Sequence, residues 1–329
     1  MDHNGFVIDI CNPLKIIINI YGVYCALSFL LFASIFWGGN YVVGHIVVDT
    51  INPYFLSFIR WGLTTLLMFT IYAKIIKREW PYLIEKLPIN IVYAILGQVL
   101  FPLTLYIGLQ YTSSLNAAIY ISSTPCLVLL INRVFFKESI SYRNIVGVIV
   151  STFGVLYLAF SNAHTNGNSG LAHFGLGDVM TILSALSWAG YCSLLRLKDP
   201  RLTQTAFVGF CSLIGTIVII PIYVVYLFCS SSPAVFVSSP SWGALFGVIY
   251  LVVFPSWLAY VFWGKGVQAI GTTRSEIFTH GIPLSGGILG ILFLGEKLHM
   301  YHVLSLIFIV FGIICCSTYK GKVTQRSTS

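Results

Sequence analysis

Apolar stretches of helix length follow one another along nearly the whole chain, separated by short gaps, which leaves little to fold into except a bundle of membrane-crossing helices. Crossing about 30 Å of hydrocarbon takes about 20 helical residues. Ten such stretches are expected, at 21–43, 53–73, 89–109, 115–136, 142–160, 177–196, 204–228, 241–263, 273–294 and 300–319. Turn formers punctuate the gaps, among them Asn52-Pro53, Asp199-Pro200 and the run from Asn162 to Gly170. Composition agrees: 57% of residues are apolar and only 9% charged, against about a quarter charged in soluble domains. Lys15 precedes an apolar run longer than a cleavable signal core, so that run is taken as a retained first helix. The eight cysteines include no CxxC pair, so neither a disulfide framework nor a zinc site is indicated.

The net charge of +8 need not mean nucleic acid, because basic residues gather on the cytoplasmic side of membrane proteins. With a cytoplasmic N-terminus, the inner helix ends hold Lys15; Lys74, Lys77, Arg78 and Lys86; Arg133, Lys137 and Arg143; Arg196, Lys198 and Arg201; Lys265 and Arg274; and Lys320, Lys322 and Arg326. That is 16 of the 18 Lys and Arg residues. Lys297 alone falls outside, and Arg60 alone within a span. A wrong span count would scramble this bias, so both termini are expected in the cytoplasm.

A weak internal repeat adds topology. Pro125 and Glu138 are 13 residues apart, as are Pro283 and Glu296, and the two pairs are offset by 158 residues. Phe101-Pro102 recurs as Phe254-Pro255, and Trp37 has a counterpart in Trp188. Five spans per copy is an odd number, so the copies run in opposite directions across the membrane. The expectation is an all-α integral membrane protein of two inverted five-helix repeats, an arrangement suited to alternating access about a central site. The repeats would occupy 1–160 and 177–320, joined by a periplasmic linker at 161–176 and followed by a cytoplasmic tail at 321–329.

The chain also resembles a known family. Ser34, Trp37, Gly38 and Asn40 in the first helix, an Arg in the second, Ser187-Trp188-Ala189 in the sixth, and a Pro-to-Glu segment in the fourth and ninth are similar to EamA-type drug/metabolite transporters. The resemblance covers about residues 20–320 and implies a ten-helix inner-membrane carrier that exports amino acids, other metabolites or drugs. The chain departs from the pattern at Phe136-Lys137-Glu138, where a Gly commonly precedes the Glu. No cofactor is implied. The expected partners are a small-molecule substrate and the bilayer, with the chain a monomer or a homodimer.

Arg60 lies about 10 Å below the outer end of its span by helix rise. A charge at that depth costs about 2.5–3.5 kcal/mol on insertion scales, so it needs a partner or a wet cavity. It is a candidate clamp for a substrate carboxylate, or else a packing arginine bonded to backbone carbonyls. Trp37, Asn40, Gln98, Tyr106, Trp188, Tyr191 and Trp257 are the further substrate-binding candidates, since an aromatic pocket with a few amides suits a flat solute. Many aromatics in such a chain simply form interface belts. Glu276 and His280 are one helical turn apart and are candidates for proton coupling; interface pairing of Glu276 with Arg274 is the plainer alternative. Glu138 and Glu296 are expected to cap helix ends or pair with the neighbouring lysines.

Enzyme readings fare poorly. Gly175-Leu176-Gly177-Asp178 matches the GxGD of intramembrane aspartyl proteases, but that chemistry needs a second carboxylate and no other Asp falls in a span. HExxH and phosphate-loop motifs are absent. Asp178 reads better as an acidic first-turn residue.

Overall fold

The computed structural model describes residues 13–137, 142–165, 175–230, 241–270, 278–279 and 281–317, and among them it is helical with no strand. The helices are α1 (Pro13–Val48), α2 (Pro53–Glu85), α3 (Leu87–Ala94), π1 (Ile95–Leu100), α4 (Phe101–Leu109), α5 (Ser114–Ile121), α6 (Thr124–Phe136), α7 (Tyr142–Thr165), α8 (Leu176–Leu194), α9 (Gln204–Cys229), α10 (Trp242–Leu251), π2 (Val252–Leu258), α11 (Ala259–Ile270), α12 (Gly281–Leu294) and α13 (Met300–Ser317). Seven helical stretches among the described residues are long and apolar enough to cross a membrane. Three shorter apolar helices accompany them, at Tyr142–Tyr157, Gly281–Leu294 and Met300–Gly312. The chain is thus an integral membrane protein. Its outward-facing Leu, Ile and Phe side chains are what lipid-facing surface requires.

Several expected spans are not continuous α-helices, and proline is the reason. Pro255 has no N–H for the carbonyl of Leu251, four residues back. The Ser256 hydroxyl takes that carbonyl instead, at 2.7 Å, and the helix widens into π2. Pro102 follows π1 in the same way, and there the N–H of Phe101 reaches back five residues to Leu96. The expected span at 115–136 breaks between α5 and α6. The hydroxyls of Ser122, Ser123 and Thr124 fold back on the carbonyls of Ile119, Tyr120 and Ile121 at 2.5, 2.8 and 2.6 Å, just ahead of Pro125. Helix α2 runs past its expected end at residue 73, kinks at Tyr72 and continues to Glu85, burying Ile76 and Leu83.

Close packing follows the small residues. A Cβ on Gly38 of α1 would sit 2.0 Å from the Ser285 hydroxyl and 2.7 Å from the Gly286 nitrogen, so α1 and α12 touch backbone to backbone there. A Cβ on Gly286 would in turn lie 3.3 Å from the Ala118 Cβ of α5. Helices α7 and α13 meet where Gly312 approaches the Gly147 carbonyl.

Carboxylates tie down helix starts. Glu296, just beyond α12, accepts the Ser114 N–H at 2.9 Å, the Ser114 hydroxyl at 2.8 Å and the Leu115 N–H at 3.0 Å. It thereby caps α5 from a distant part of the chain and meets its positive dipole end. Asp178 sits in the first turn of α8, where it accepts the Gly175 N–H at 3.3 Å and the Tyr120 hydroxyl at 2.8 Å. Glu79 receives the Thr203 N–H and hydroxyl at the start of α9, at 2.8 and 3.0 Å. Beside it the Arg201 guanidinium holds the Asp199 carboxyl down at about 2. Glu138 lies outside the described residues.

The departure at Lys137 has a structural meaning. Lys137 closes α6 in the left-handed conformation, with φ 54°. Gly295, which closes α12, has φ 64°. Glycine adopts this geometry without the Cβ clash that an L-residue meets. Lys137→Gly should therefore stabilise the protein by about 0.5–1 kcal/mol after the entropy cost of glycine, read as a higher thermal midpoint in detergent; a lowered midpoint would contradict the assigned backbone. Glu296→Ala, leaving three donors unmet, should cost about 1–3 kcal/mol of stability and lower the midpoint, and an unchanged midpoint would mean that this cap does not hold α5.

Candidate functional site

The centre of the bundle holds an arginine with unusually complete support. Arg60 is 2% exposed, on the buried face of α2. Its Nε donates to the Ser256 hydroxyl at 2.6 Å. Its Nη1 donates to Asn40 Oδ1 at 3.1 Å and also to the Tyr106 hydroxyl. Tyr106 donates in turn to Asn40 Oδ1, at 3.2 Å. The rings of Trp61 and Tyr106 lie 5.2 and 5.6 Å from the guanidinium carbon. Every one of these oxygens is neutral, and among the described residues no carboxylate forms an ion pair with Arg60. Its bonds thus go to side chains, neither to the backbone carbonyls of a packing arginine nor to a counter-charge.

The local sequence explains the arrangement. Asn40 comes from α1, Tyr106 from α4 and Ser256 from π2, so three elements converge on the arginine of a fourth. Ser256 can reach Arg60 because Pro255 turned its hydroxyl to the Leu251 carbonyl, leaving its oxygen lone pairs for the guanidinium. The same π-turn frees the Pro255 carbonyl, which accepts from Trp37 Nε1 at 3.1 Å.

Beside Arg60 lies a cavity lined by Trp37, Asn40, Tyr41, Arg60, Phe101, Ile121, Trp188, Tyr260 and Ile282. Its free volume is about 20 Å³, room for about one water. Ligand pockets usually measure about 300–1,000 Å³, so a metabolite enters only when the walls part. An aromatic cover closes it: Trp37 meets Trp188, Tyr260 and Trp263 at centroid distances of 6.0, 5.6 and 5.3 Å. Trp188 also packs on Phe101 and Tyr191, each at 5.0 Å.

Of the candidates named from sequence, Trp37, Asn40, Arg60 and Trp188 line this cavity, and Tyr106 braces Arg60 from behind. Gln98 is fully buried in π1 but faces α9, where a Cβ on Gly215 would lie 2.7 Å from its own Cβ. Both amide atoms of Gln98, and the hydroxyl of Tyr191, lack a hydrogen-bond partner among the described residues. Trp257 points away, donating to the Tyr72 hydroxyl at 3.3 Å. Glu276 and His280 lie outside the described residues. Sequence reasoning passed over Ser256, Phe101, Ile121 and Ile282; the signal for the first two was the repeated Phe-Pro, which places both beside a widened turn. Arg60→Lys keeps the charge but not the planar fork needed to reach Ser256, Asn40 and Tyr106 together. It should cost about 1–3 kcal/mol of stability, read as a lower thermal midpoint, whereas a lysine variant as stable as the parent would show that these bonds contribute nothing.

Comparison with known proteins places this architecture. The sequence pattern of the EamA-like transporter family matches residues 25–160 and again residues 175–318. The "Uncharacterized transporter YetK" of Bacillus subtilis is 25% identical, over 84% of this chain and 82% of its own. The "Uncharacterized transporter YyaM" of the same organism is 26% identical, over 88% and 92%, and an "Uncharacterized transporter" of Archaeoglobus fulgidus is 28% identical, over 86% and 94%. A solved crystal structure superposes with a TM-score of 0.59 at 16% identity, covering 88% of this chain and 95% of that one, a likeness of fold alone. With both halves of the chain matched, the protein belongs to the EamA-like transporter family.

Proposed function

We propose that this chain is a secondary active transporter that exports an amino acid or a related small carboxylate across the inner membrane by alternating access. The observation that carries the reading is Arg60: a buried cation, without a carboxylate partner among the described residues, on the wall of a closed aromatic cavity. An arginine fork binds carboxylates in bidentate fashion. A solute carboxylate on the Nε/Nη2 edge can take over the donor now spent on Ser256, and the exchange swaps a neutral acceptor for a charged one. The flat cover of Trp37, Trp188 and Tyr260 suits a planar or apolar solute body.

The proposed machine has ten spans in two inverted repeats, with both termini in the cytoplasm. The paired π-turns support this reading. Val252–Leu258 follows Ile95–Leu100 by about 157 residues, close to the offset of the repeated Pro-to-Glu segments. Arg60, Asn40 and Tyr106 belong to the first half and Ser256 to the second, so the Arg60–Ser256 bond crosses between the halves. Its exchange for a solute oxygen gives the bound molecule a way to loosen one half from the other. Glu276 and His280 are the proposed proton carriers of the cycle.

Counterflow in proteoliposomes tests the proposal. Preloaded amino acids or related carboxylates should drive saturable uptake of labelled solute, and Arg60→Met should reduce it at least about 100-fold. Unsaturable leak would make the protein a channel, and counterflow untouched by Arg60→Met would remove the carboxylate clamp.

A further inference from the structure

A second, larger hollow opens on the outer surface of the bundle. It measures about 400 Å³ and lies between α1 and the π2–α11 segment. Phe29, Phe32 and Phe36 form one wall, Leu258 and Phe262 the other, and Cys25 and Ser28 line the end at the start of α1. The rings are in contact: Phe29 with Phe262 at 5.0 Å, and Phe36 with Phe262 at 6.1 Å. From Cys25 to Phe36 the helix rises about 16 Å, half of a hydrocarbon core of about 30 Å. The groove therefore spans one leaflet.

Among the described residues a cation stands at its end. Lys265 is exposed, with its ammonium 5.5 Å from the centre of the Phe29 ring. Among the described residues it forms no ion pair. Apolar surface alone selects nothing in a membrane, because lipid tails are as apolar as the groove. An ammonium one turn beyond the aromatic wall does select, since it meets the phosphate of a lipid whose chain fills the groove.

We propose that this groove is a binding site for one acyl chain of an anionic phospholipid, with the headgroup phosphate on Lys265. The site backs onto the aromatic cover. Trp37 and Trp263, each one residue past Phe36 and Phe262, turn to the other side and meet at 5.3 Å. The inference rests on the chain's place in a membrane, not on any solute it carries.

Native mass spectrometry of the purified protein in mixed micelles of phosphatidylglycerol and phosphatidylcholine tests it. The parent protein should retain the anionic lipid about fivefold over the zwitterionic one. Lys265→Gln should abolish that preference and Lys265→Arg should keep it. Ser28→Trp, which fills the groove, should remove one retained lipid. An unchanged preference in Lys265→Gln would overturn the proposal. So would release of the lipid by soluble glycerol phosphate, which would assign the lysine to free phosphoesters. None of these readouts depends on transport, so failure of the carrier reading leaves them standing.

Discussion

A guanidinium removed from water inside a membrane protein must be solvated by the protein, and much of this structure is arranged to solvate Arg60. Its support comes from three elements far apart in the chain: Asn40 on α1, Tyr106 on α4 and Ser256 on π2. Neutral oxygens and aromatic faces make the charge tolerable without neutralising it. The result is a closed cavity whose wall carries a guanidinium bonded only to neutral oxygens.

The π-turns make this possible. Proline in a membrane helix leaves a carbonyl without its donor, which is costly in lipid unless another group supplies one. Here the Ser256 hydroxyl takes the Leu251 carbonyl and the Trp37 indole takes that of Pro255. Near π1, Ser187 and Ser184 of α8 donate to the carbonyls of Leu96 and Phe101, at 2.8 and 2.9 Å. Two of these groups also serve the cavity: Trp37 lines it, and Ser256 bonds Arg60 on its wall.

The apolar stretches made the membrane class legible in the sequence, and Arg60, the one basic residue expected within a span, lies on the wall of the closed cavity. Finer structure was legible only where a residue has one physical effect. Proline and glycine are such residues: the repeated Phe-Pro marks the widened turns, and Gly295 marks a left-handed cap that Lys137 must copy without glycine's freedom. Gln98 is the opposite case. An amide within a span looks like a site residue from sequence, but helix rotation turns it to α9 and away from the cavity. Ser256 was legible only through its place after the second Phe-Pro, since a serine gains such a role when a neighbouring proline rearranges the hydrogen bonds around it.

The central claim is that Arg60 binds the solute's carboxylate. The most direct measurement compares the affinities of a bound amino acid and its methyl ester, in the parent protein and in Arg60→Gln. The account predicts that the ester binds at least about 30-fold more weakly to the parent, a loss of about 2 kcal/mol for one desolvated charge pair, and that this penalty vanishes in the variant. An equal penalty in both proteins would contradict it, because the carboxylate would then be bound by something other than Arg60.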